Sequence, residues 1–257
     1  MTAVCSDCGG SGWLDVDGSP DSVRPCGCRG RRSSSRLFSE AGVPERYQGC
    51  RLSGFQVSDH DQLVEALSRC RHYVDNFLSE GGDRRFRDSG LLFSGRPGVG
   101  KTHLAVAVLH ELIAKYRIRG RFVDFTSLTQ QLQSSLDPGN SDTAATILEP
   151  LESAEVLVVD ELGSGSKKLV SWTNEVSYSL INKRYQRRLP TLFTTNYRLE
   201  EVEEKSLDRG PDTDQSGSLS HRISARLVSR LYEMAQPILL DSVSDYRRLV
   251  RAHQHHA

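Results

Sequence analysis

The stretch 94-SGRPGVGKTHLA-105 decides the fold of this chain, because it carries the pattern GxxxxGK(S/T) between an apolar run and a helical segment. The run is 91-LLFS-94, and 103-HLAVAVLHELIAKY-116 has the length and apolar face of a helix. Strand, glycine-rich turn and helix are therefore expected in that order. Glycines let consecutive backbone N–H groups point at one anion, and the helix N-terminus adds positive partial charge. We expect this loop to hold the β-phosphate of a nucleotide.

Two side chains of the loop are expected to carry its chemistry. Lys101 would bridge the β- and γ-phosphates as a point charge, and the Thr102 hydroxyl would ligate Mg²⁺. The residues expected to bind ATP are Gly95, Arg96, Pro97, Gly98, Val99, Gly100, Lys101, Thr102, His103 and Asp160. The alternative is a glycine-rich turn that holds no ligand.

An acidic pair ends the apolar run in 156-VLVVDELG-163. Asp160 fits a second anchor for Mg²⁺, and Glu161 fits the group that polarises the attacking water. A later strand ends at 194-TTN-196, where Asn196 is expected beside the γ-phosphate, holding the water with Glu161. Either motif alone could be a polar strand end. Together with the phosphate loop they indicate a nucleoside triphosphatase.

The candidate strands alternate with segments long enough for crossover helices, which predicts a parallel sheet covered by helices on both faces. Besides the strand before the loop, they are 121-RFVDF-125, 156-VLVVD-160, 191-TLFTT-195 and 237-PILL-240. A further helix is expected from Leu63 to Leu78. Because 121–125 lies between the two motifs in sequence, we expect an extra strand between the loop-bearing and acid-bearing strands. That arrangement is typical of ATPases that do mechanical work.

Four of the 6 cysteines lie near the start of the chain, as Cys5-x-x-Cys8 and Cys26-x-Cys28. Their thiolates can bind one tetrahedral Zn²⁺, and four sulfur ligands would make that zinc structural. A redox pair is the alternative. So short a segment buries too little apolar surface to fold alone, so metal binding would supply its folding free energy. The basic, serine-rich 29-RGRRSSSR-36 has the composition of a mobile linker.

Length and composition set further limits. The 257 residues suit one domain with a small appendage, and 33 basic against 33 acidic residues leave any nucleic-acid affinity to local patches. Apolar runs are far shorter than the roughly 20 residues that span a bilayer, and the N-terminus lacks a secretory signal pattern. We therefore expect a cytoplasmic protein without a membrane partner. Its expected parts are a zinc module with linker at 1–36 and an ATPase domain at 37–257, the latter with a polar loop at 203–218 and an arginine-rich region at 219–250.

The motifs GRPGVGKT, VVDELG and FTTNY, followed by 226-RLVSRLYEM-234 and 245-DYR-247, resemble those of the DnaC/DnaI/IstB group of AAA+ ATPases. This group contains bacterial helicase loaders and transposition helpers. The resemblance runs from about Val43 to Leu249 and includes 44-PERYQGCRLSGF-55. It implies a P-loop AAA+ fold of the ASCE type, a parallel five-stranded sheet sandwiched by helices, with ATP and Mg²⁺ as cofactors.

The resemblance also implies that 219–250 is the arginine-finger and sensor-2 region, with roles for two arginines. Arg230 would be the arginine finger that reaches ATP bound by a neighbouring subunit, and Arg247 the sensor arginine within its own subunit. A guanidinium can neutralise charge that develops on transferred phosphate oxygens. Arg222 and Arg226 lie on the same run as Arg230, and the sequence does not choose among the three. An arginine acting in trans would make hydrolysis depend on self-association or on a partner.

Members of the group hold single-stranded DNA inside spiral assemblies. The residues that offer charge or stacking surfaces for a strand are Lys167, Lys168, Trp172, Arg184, Tyr185, Arg187 and Arg188, with ordinary solvated side chains as the alternative. The zinc module resembles that of DnaI-type loaders, whose N-terminal domain contacts the replicative helicase. We therefore expect an ATPase that loads this helicase on single-stranded DNA. The alternatives are a transposase helper acting on duplex DNA and an adaptor that binds ATP but hydrolyses it negligibly.

Overall fold

The computed structural model describes residues 5–9, 11, 13–16, 19–57, 60–78, 90–137, 139–164, 171–199 and 218–242. Within them, a hairpin and a five-stranded sheet are formed by β1 Trp13–Val16, β2 Ser19–Pro25, β3 Gly90–Gly95, β4 Gly120–Asp124, β5 Val156–Asp160, β6 Thr191–Thr195 and β7 Gln236–Leu240. The α-helices are α1 Gly27–Glu40, α2 Asp61–Asp75, α3 Lys101–Tyr116, α4 Phe125–Ser134, α5 Ala144–Ser153, α6 Ser171–Gln186 and α7 Ala225–Met234. Short 3₁₀ turns lie at Glu45–Tyr47, Leu52–Gly54 and Leu219–His221.

The five-stranded sheet is parallel throughout, in the order β4-β5-β6-β3-β7. This confirms the predicted fold class. An extra strand does separate the loop-bearing β3 from the acid-bearing β5, but it is β6 and not the strand at 121–125. The latter, β4, lies at the sheet edge beyond β5, because the chain crosses from β3 through α3 to that edge and then returns. Order along the chain therefore did not reveal order in the sheet.

Alternate residues of the central strands point into two hydrophobic cores, one on each face of the sheet. Leu91 and Phe93 of β3 belong to the core that α2 and α3 cover, whereas Leu92 belongs to the core beneath α4 to α7. The strands β3, β5 and β6 are buried along their whole length. Burial on both faces explains their continuous apolar character.

The segment 29–36 is not a linker in this structure, since α1 runs through it. Phe38 of α1 packs edge-on against His110 of α3, with ring centroids 4.7 Å apart, and the Arg117 guanidinium donates to the Ser34 hydroxyl. Arg36 and Glu40 form an (i, i+4) ion pair. The contacts of α1 with His110 and Arg117 are tertiary, and such contacts stabilise a helix that composition alone does not predict. The expected boundary at residue 36 consequently falls inside α1.

Two further expectations concern the polar loop and a membrane-spanning helix. Apart from Ser218, the polar loop expected at 203–218 lies outside the described residues. Among the helices that the structure describes, none has the length and hydropathy needed to cross a bilayer.

Candidate active site

The phosphate loop connects β3 to α3 through backbone that favours glycine. Gly98 and Gly100 have φ values of 84° and 95°, in the left-handed region that other residues rarely adopt. A side chain at Gly100 would also come within 2.7 Å of the Phe55 ring. The left-handed backbone therefore favours glycine here, and Gly100 also leaves room for the Phe55 ring.

Lys101, the first residue of α3, is buried, and its amino group lies over the loop. Its Nζ donates to the carbonyl oxygens of Gly95 at 2.7 Å and Arg96 at 2.8 Å. The positive charge is thus held where the left-handed turn and the helix N-terminus direct N–H groups. These donors fit a polyphosphate. The ring of His103, also expected to bind the nucleotide, lies edge-on to Phe55, at 5.2 Å between centroids.

Two hydroxyls converge on one carboxylate oxygen beside the loop. Thr102 Oγ1 donates to Asp160 Oδ1 at 2.8 Å, and Thr194 Oγ1 donates to the same oxygen at 2.6 Å. Burial raises the pKa of Asp160, while the hydrogen bonds from Thr194 and Thr102 act in the opposite direction. An oxygen-rich corner with a carboxylate and a hydroxyl fits Mg²⁺, which prefers such ligands.

Glu161 follows Asp160 in a left-handed turn, with a φ of 55°. Its backbone N–H donates to Thr194 Oγ1 at 2.9 Å. Burial raises the pKa of the half-buried Glu161 carboxyl, and the negative charges of Asp160 and Asp124 raise it further. A carboxylate with a raised pKa accepts a proton more readily, as polarising water requires.

Asn196 directly follows β6, which lies between β3 and β5. Because the strands are parallel, the phosphate loop, the acidic pair and Asn196 all lie at the carboxyl edge of the sheet. Asn196 is half-buried there. The topology therefore brings together three motifs that are far apart in sequence.

The three candidate finger arginines have different surroundings. Arg222 Nε donates to the Gly163 carbonyl at 2.9 Å, so this side chain is attached to the loop after the acidic pair. Arg226 is exposed near the start of α7. The Arg230 guanidinium lies against the rings of Tyr178 and Tyr185, at 4.6 and 5.8 Å from their centroids, and its buried Nη1 atom has no hydrogen-bond partner among the described residues. Arg247 lies outside the described residues.

Arg184 does not offer a surface to DNA, and that prediction is wrong. Its side chain is wholly buried and donates to the carbonyls of Leu151, Ala154 and Pro190. The sequence alone does not show this burial, because it depends on how α6 packs against the end of α5 and the start of β6.

Of the other candidate DNA contacts, Arg187 and Arg188 are exposed, while the Tyr185 hydroxyl donates to Glu233 at 2.6 Å. Lys167, Lys168 and the side chain of Trp172 lie outside the described residues.

The four clustered cysteines come together at the start of α1. Their Sγ atoms all lie within 4.8 Å of one another, with Cys5 to Cys26 at 3.9 Å and Cys8 to Cys28 at 3.3 Å. Zinc–sulfur bonds of about 2.3 Å in a tetrahedron place sulfurs about 3.8 Å apart. The cluster therefore fits a four-thiolate zinc site.

Sequence reasoning missed one residue of the site, Thr194. It belongs to 194-TTN-196, but only Asn196 was singled out there. Threonine is common in strands, so its type carries no signal. Only the pairing of β6 beside β5 places its hydroxyl next to Asp160.

Comparison with known proteins agrees with this geometry. Residues 86–210 match the family described as IstB-like ATP binding protein. The replicative helicase loader DnaC of Escherichia coli (strain K12) is 30% identical over 169 residues, which cover 65% of this chain and 63% of that protein. The replicative helicase loader DnaI of Bacillus subtilis (strain 168) is 29% identical over 212 residues, which cover 82% of this chain and 63% of the length of DnaI. The chain thus spans less than two thirds of the length of these curated relatives.

A solved structure gives the same result. The crystal structure of the DnaC helicase loader is 32% identical and superposes with a TM-score of 0.59, covering 77% of this chain and 100% of that one. Fold, phosphate loop and sequence identity agree. The chain therefore belongs to the DnaC/DnaI/IstB family of AAA+ ATP-binding proteins.

Proposed function

We propose that this protein binds ATP with Mg²⁺, hydrolyses it, and uses the cycle to load or remodel the replicative helicase on single-stranded DNA. The hydrogen bond of 2.8 Å between Thr102 and Asp160 supports the ATPase part most directly. It joins the phosphate loop to the acid-ended strand at one point. A turn that held no ligand would not need a carboxylate there.

Each group of site residues has a proposed role that follows from its chemistry. Lys101 and the loop N–H groups would hold the β- and γ-phosphates, and Thr102 with Asp160 would hold Mg²⁺. Bound Mg²⁺ would neutralise charge on the phosphate oxygens. Glu161 would polarise the attacking water and Asn196 would help to hold it. The intact set argues against an adaptor that binds ATP without hydrolysing it.

Self-association would complete the site if an arginine acts in trans. Arg230 remains our proposal for that finger, with Arg247 as the sensor in the same subunit. Reaching a neighbouring subunit requires the Arg230 guanidinium to leave the tyrosine rings that it contacts. Arg226 is the alternative because it is exposed, whereas Arg222 is bonded within its own chain.

The helicase partner is proposed from two observations. The relatives reported above are named replicative helicase loaders, and a four-cysteine cluster precedes the ATPase fold. We assign docking on the helicase to this cysteine module and contact with single-stranded DNA to exposed residues such as Arg187 and Arg188. Such a role belongs in the cytoplasm.

A second candidate function is that of an ATPase that helps a transposase on duplex DNA. It is favoured by the match of residues 86–210 to the IstB-like family. That match does not include the four cysteines. The cysteine module therefore favours a loader.

Two substitutions test the ATPase proposal. Lys101→Ala should abolish ATP binding, because the buried ammonium is the main positive charge of the loop. Glu161→Gln should keep binding while turnover falls by about 100-fold or more, the usual effect of removing a general base. Binding is measured by titration with a fluorescent ATP analogue, and turnover by phosphate release.

Lys115→Ala is the matched control for Lys101→Ala, since Lys115 lies at the other end of α3 and pairs with Asp75 on the surface. It should leave both measurements unchanged. Turnover of the Glu161→Gln protein at the parent rate would show that the role of Glu161 is wrongly assigned.

A further inference from the structure

Thr194 of β6 is bonded to both members of the acidic pair, although it belongs to a different strand. Its Oγ1 donates to Asp160 Oδ1 at 2.6 Å and accepts the Glu161 N–H at 2.9 Å. Its backbone carbonyl accepts the Leu162 N–H at 2.8 Å. Thr194 is only 1% exposed, so water does not compete for these bonds.

The direction of the hydrogen bonds is determined by the atoms involved. A threonine hydroxyl has one proton, and the Glu161 N–H can only donate. The Thr194 proton therefore points at Asp160, whose Oδ1 also accepts from Thr102. Two donors on one oxygen orient the Asp160 carboxyl group.

The bond to the Glu161 N–H matters for a second reason. Glu161 has a φ of 55°, a backbone conformation that residues with a side chain rarely adopt. Strained backbone of this kind persists when the surrounding structure holds it, and it is frequent at active sites. Thr194 supplies both its side chain and its carbonyl to the turn that contains Glu161 and Leu162.

We propose that Thr194 is a positioning residue for ATP hydrolysis. Through one hydroxyl it sets the Asp160 carboxylate for Mg²⁺ and the Glu161 backbone for the water-polarising role. The proposal deepens the ATPase function proposed above and rests on it.

The first test compares Thr194→Val, which keeps the shape and removes the hydroxyl, with Thr194→Ser, which keeps the hydroxyl. In the full chain, Thr194→Val should lower kcat about tenfold and raise the Mg²⁺ concentration needed for half-maximal turnover about tenfold, as expected for losing a hydrogen bond to a charged group. KM for ATP should change less than kcat, because Lys101 and the loop are untouched. Thr194→Ser should stay within about twofold of the parent in kcat and in Mg²⁺ dependence, because it keeps the hydroxyl that makes both hydrogen bonds.

Thr129→Val is the matched control. Thr129 is buried on α4, and its hydroxyl donates to the Thr126 carbonyl. The Thr129→Val variant should show any general loss of stability or turnover that comes from exchanging a buried threonine for valine, but its Mg²⁺ dependence should equal that of the parent. If Thr194→Val does not fold, Thr194→Ala takes its place. Equal kcat and equal Mg²⁺ dependence in parent and Thr194→Val, or a Thr194→Ser protein as slow as Thr194→Val, would overturn the proposal.

A second readout needs no nucleotide. Amide hydrogen exchange at Glu161 should accelerate about tenfold in Thr194→Val and return to the parent rate in Thr194→Ser, because that amide loses and regains its acceptor. Unchanged exchange at Glu161 in Thr194→Val would overturn the proposal even if the turnover of that variant falls. If the parent itself shows no turnover, the ATPase function fails, whereas the exchange rates still test the hydrogen bonds of Thr194.

Discussion

At the scale of single residues, Arg184 shows how a charge can serve as structure. Its guanidinium donates to Leu151 and Ala154 at the end of α5 and to Pro190 and Thr191 at the start of β6. A cation suits carbonyls at a helix C-terminus, where the helix dipole is negative. Burial lowers the pKa of Arg184 to about 9, so the side chain stays charged at neutral pH.

Replacing Arg184 should therefore destabilise the fold strongly. Arg184→Met keeps most of the aliphatic chain but leaves buried carbonyls without donors, and we expect a loss of about 3–5 kcal/mol in the free energy of unfolding. Urea denaturation measures this loss. Arg187→Met changes an exposed arginine just after the end of α6; it is the control and should cost under about 1 kcal/mol. Equal effects of the two substitutions would contradict the structural role.

The residues of the phosphate loop and the acidic pair could be predicted from sequence because their motifs are local. Gly100, Lys101 and Asp160 are read from short patterns next to apolar runs. Thr194 and Arg184 could not be assigned in the same way, since their roles depend on which strand and helix lie beside them.

At the scale of elements, α1 connects the cysteine cluster to the ATPase fold. Cys26 directly precedes the helix and Cys28 lies in its first turn, while Phe38 near its other end packs against His110 of α3. The same helix α3 begins with Lys101 of the phosphate loop. The cysteine module is thus attached through a helix and not through a mobile chain.

The cluster should contain metal in the purified protein. We expect about one zinc per chain, because four thiolates at this spacing match a structural site. Metal analysis of freshly purified protein measures it, and the double substitution Cys26→Ser with Cys28→Ser should remove the zinc. Cys50→Ala alters a buried cysteine outside the cluster and should retain it. Parent protein with an intact fold, reduced cysteines and no zinc would exclude the site.

Elements were predicted best where the apolar pattern was strong and continuous. The buried strands β3, β5 and β6 and the helix α3 agree with the expected segments within a few residues. The helix α1 was missed because its stability depends on contacts with α3 and β4. The sheet order was missed because the crossover from β3 to β4 passes over the positions that β5 and β6 later occupy, which the order along the chain does not show.

At the scale of the whole molecule, the strand order is what creates the site. Placing β6 between β3 and β5 brings Asn196 and Thr194 beside the loop and the acidic pair, at the carboxyl edge where ligands of open parallel sheets bind. The arginines of α7 and the cysteine module lie on other parts of the chain.

The most direct test of the account is to mix the protein with the replicative helicase from the same genome, with and without ATP, and to measure complex mass by light scattering. We predict a stable complex that is lost when Cys5→Ser and Cys8→Ser disable the metal cluster, with Cys50→Ala as the control that still binds. No complex under any nucleotide condition would contradict the loader function, and binding to duplex DNA would then favour the transposase helper.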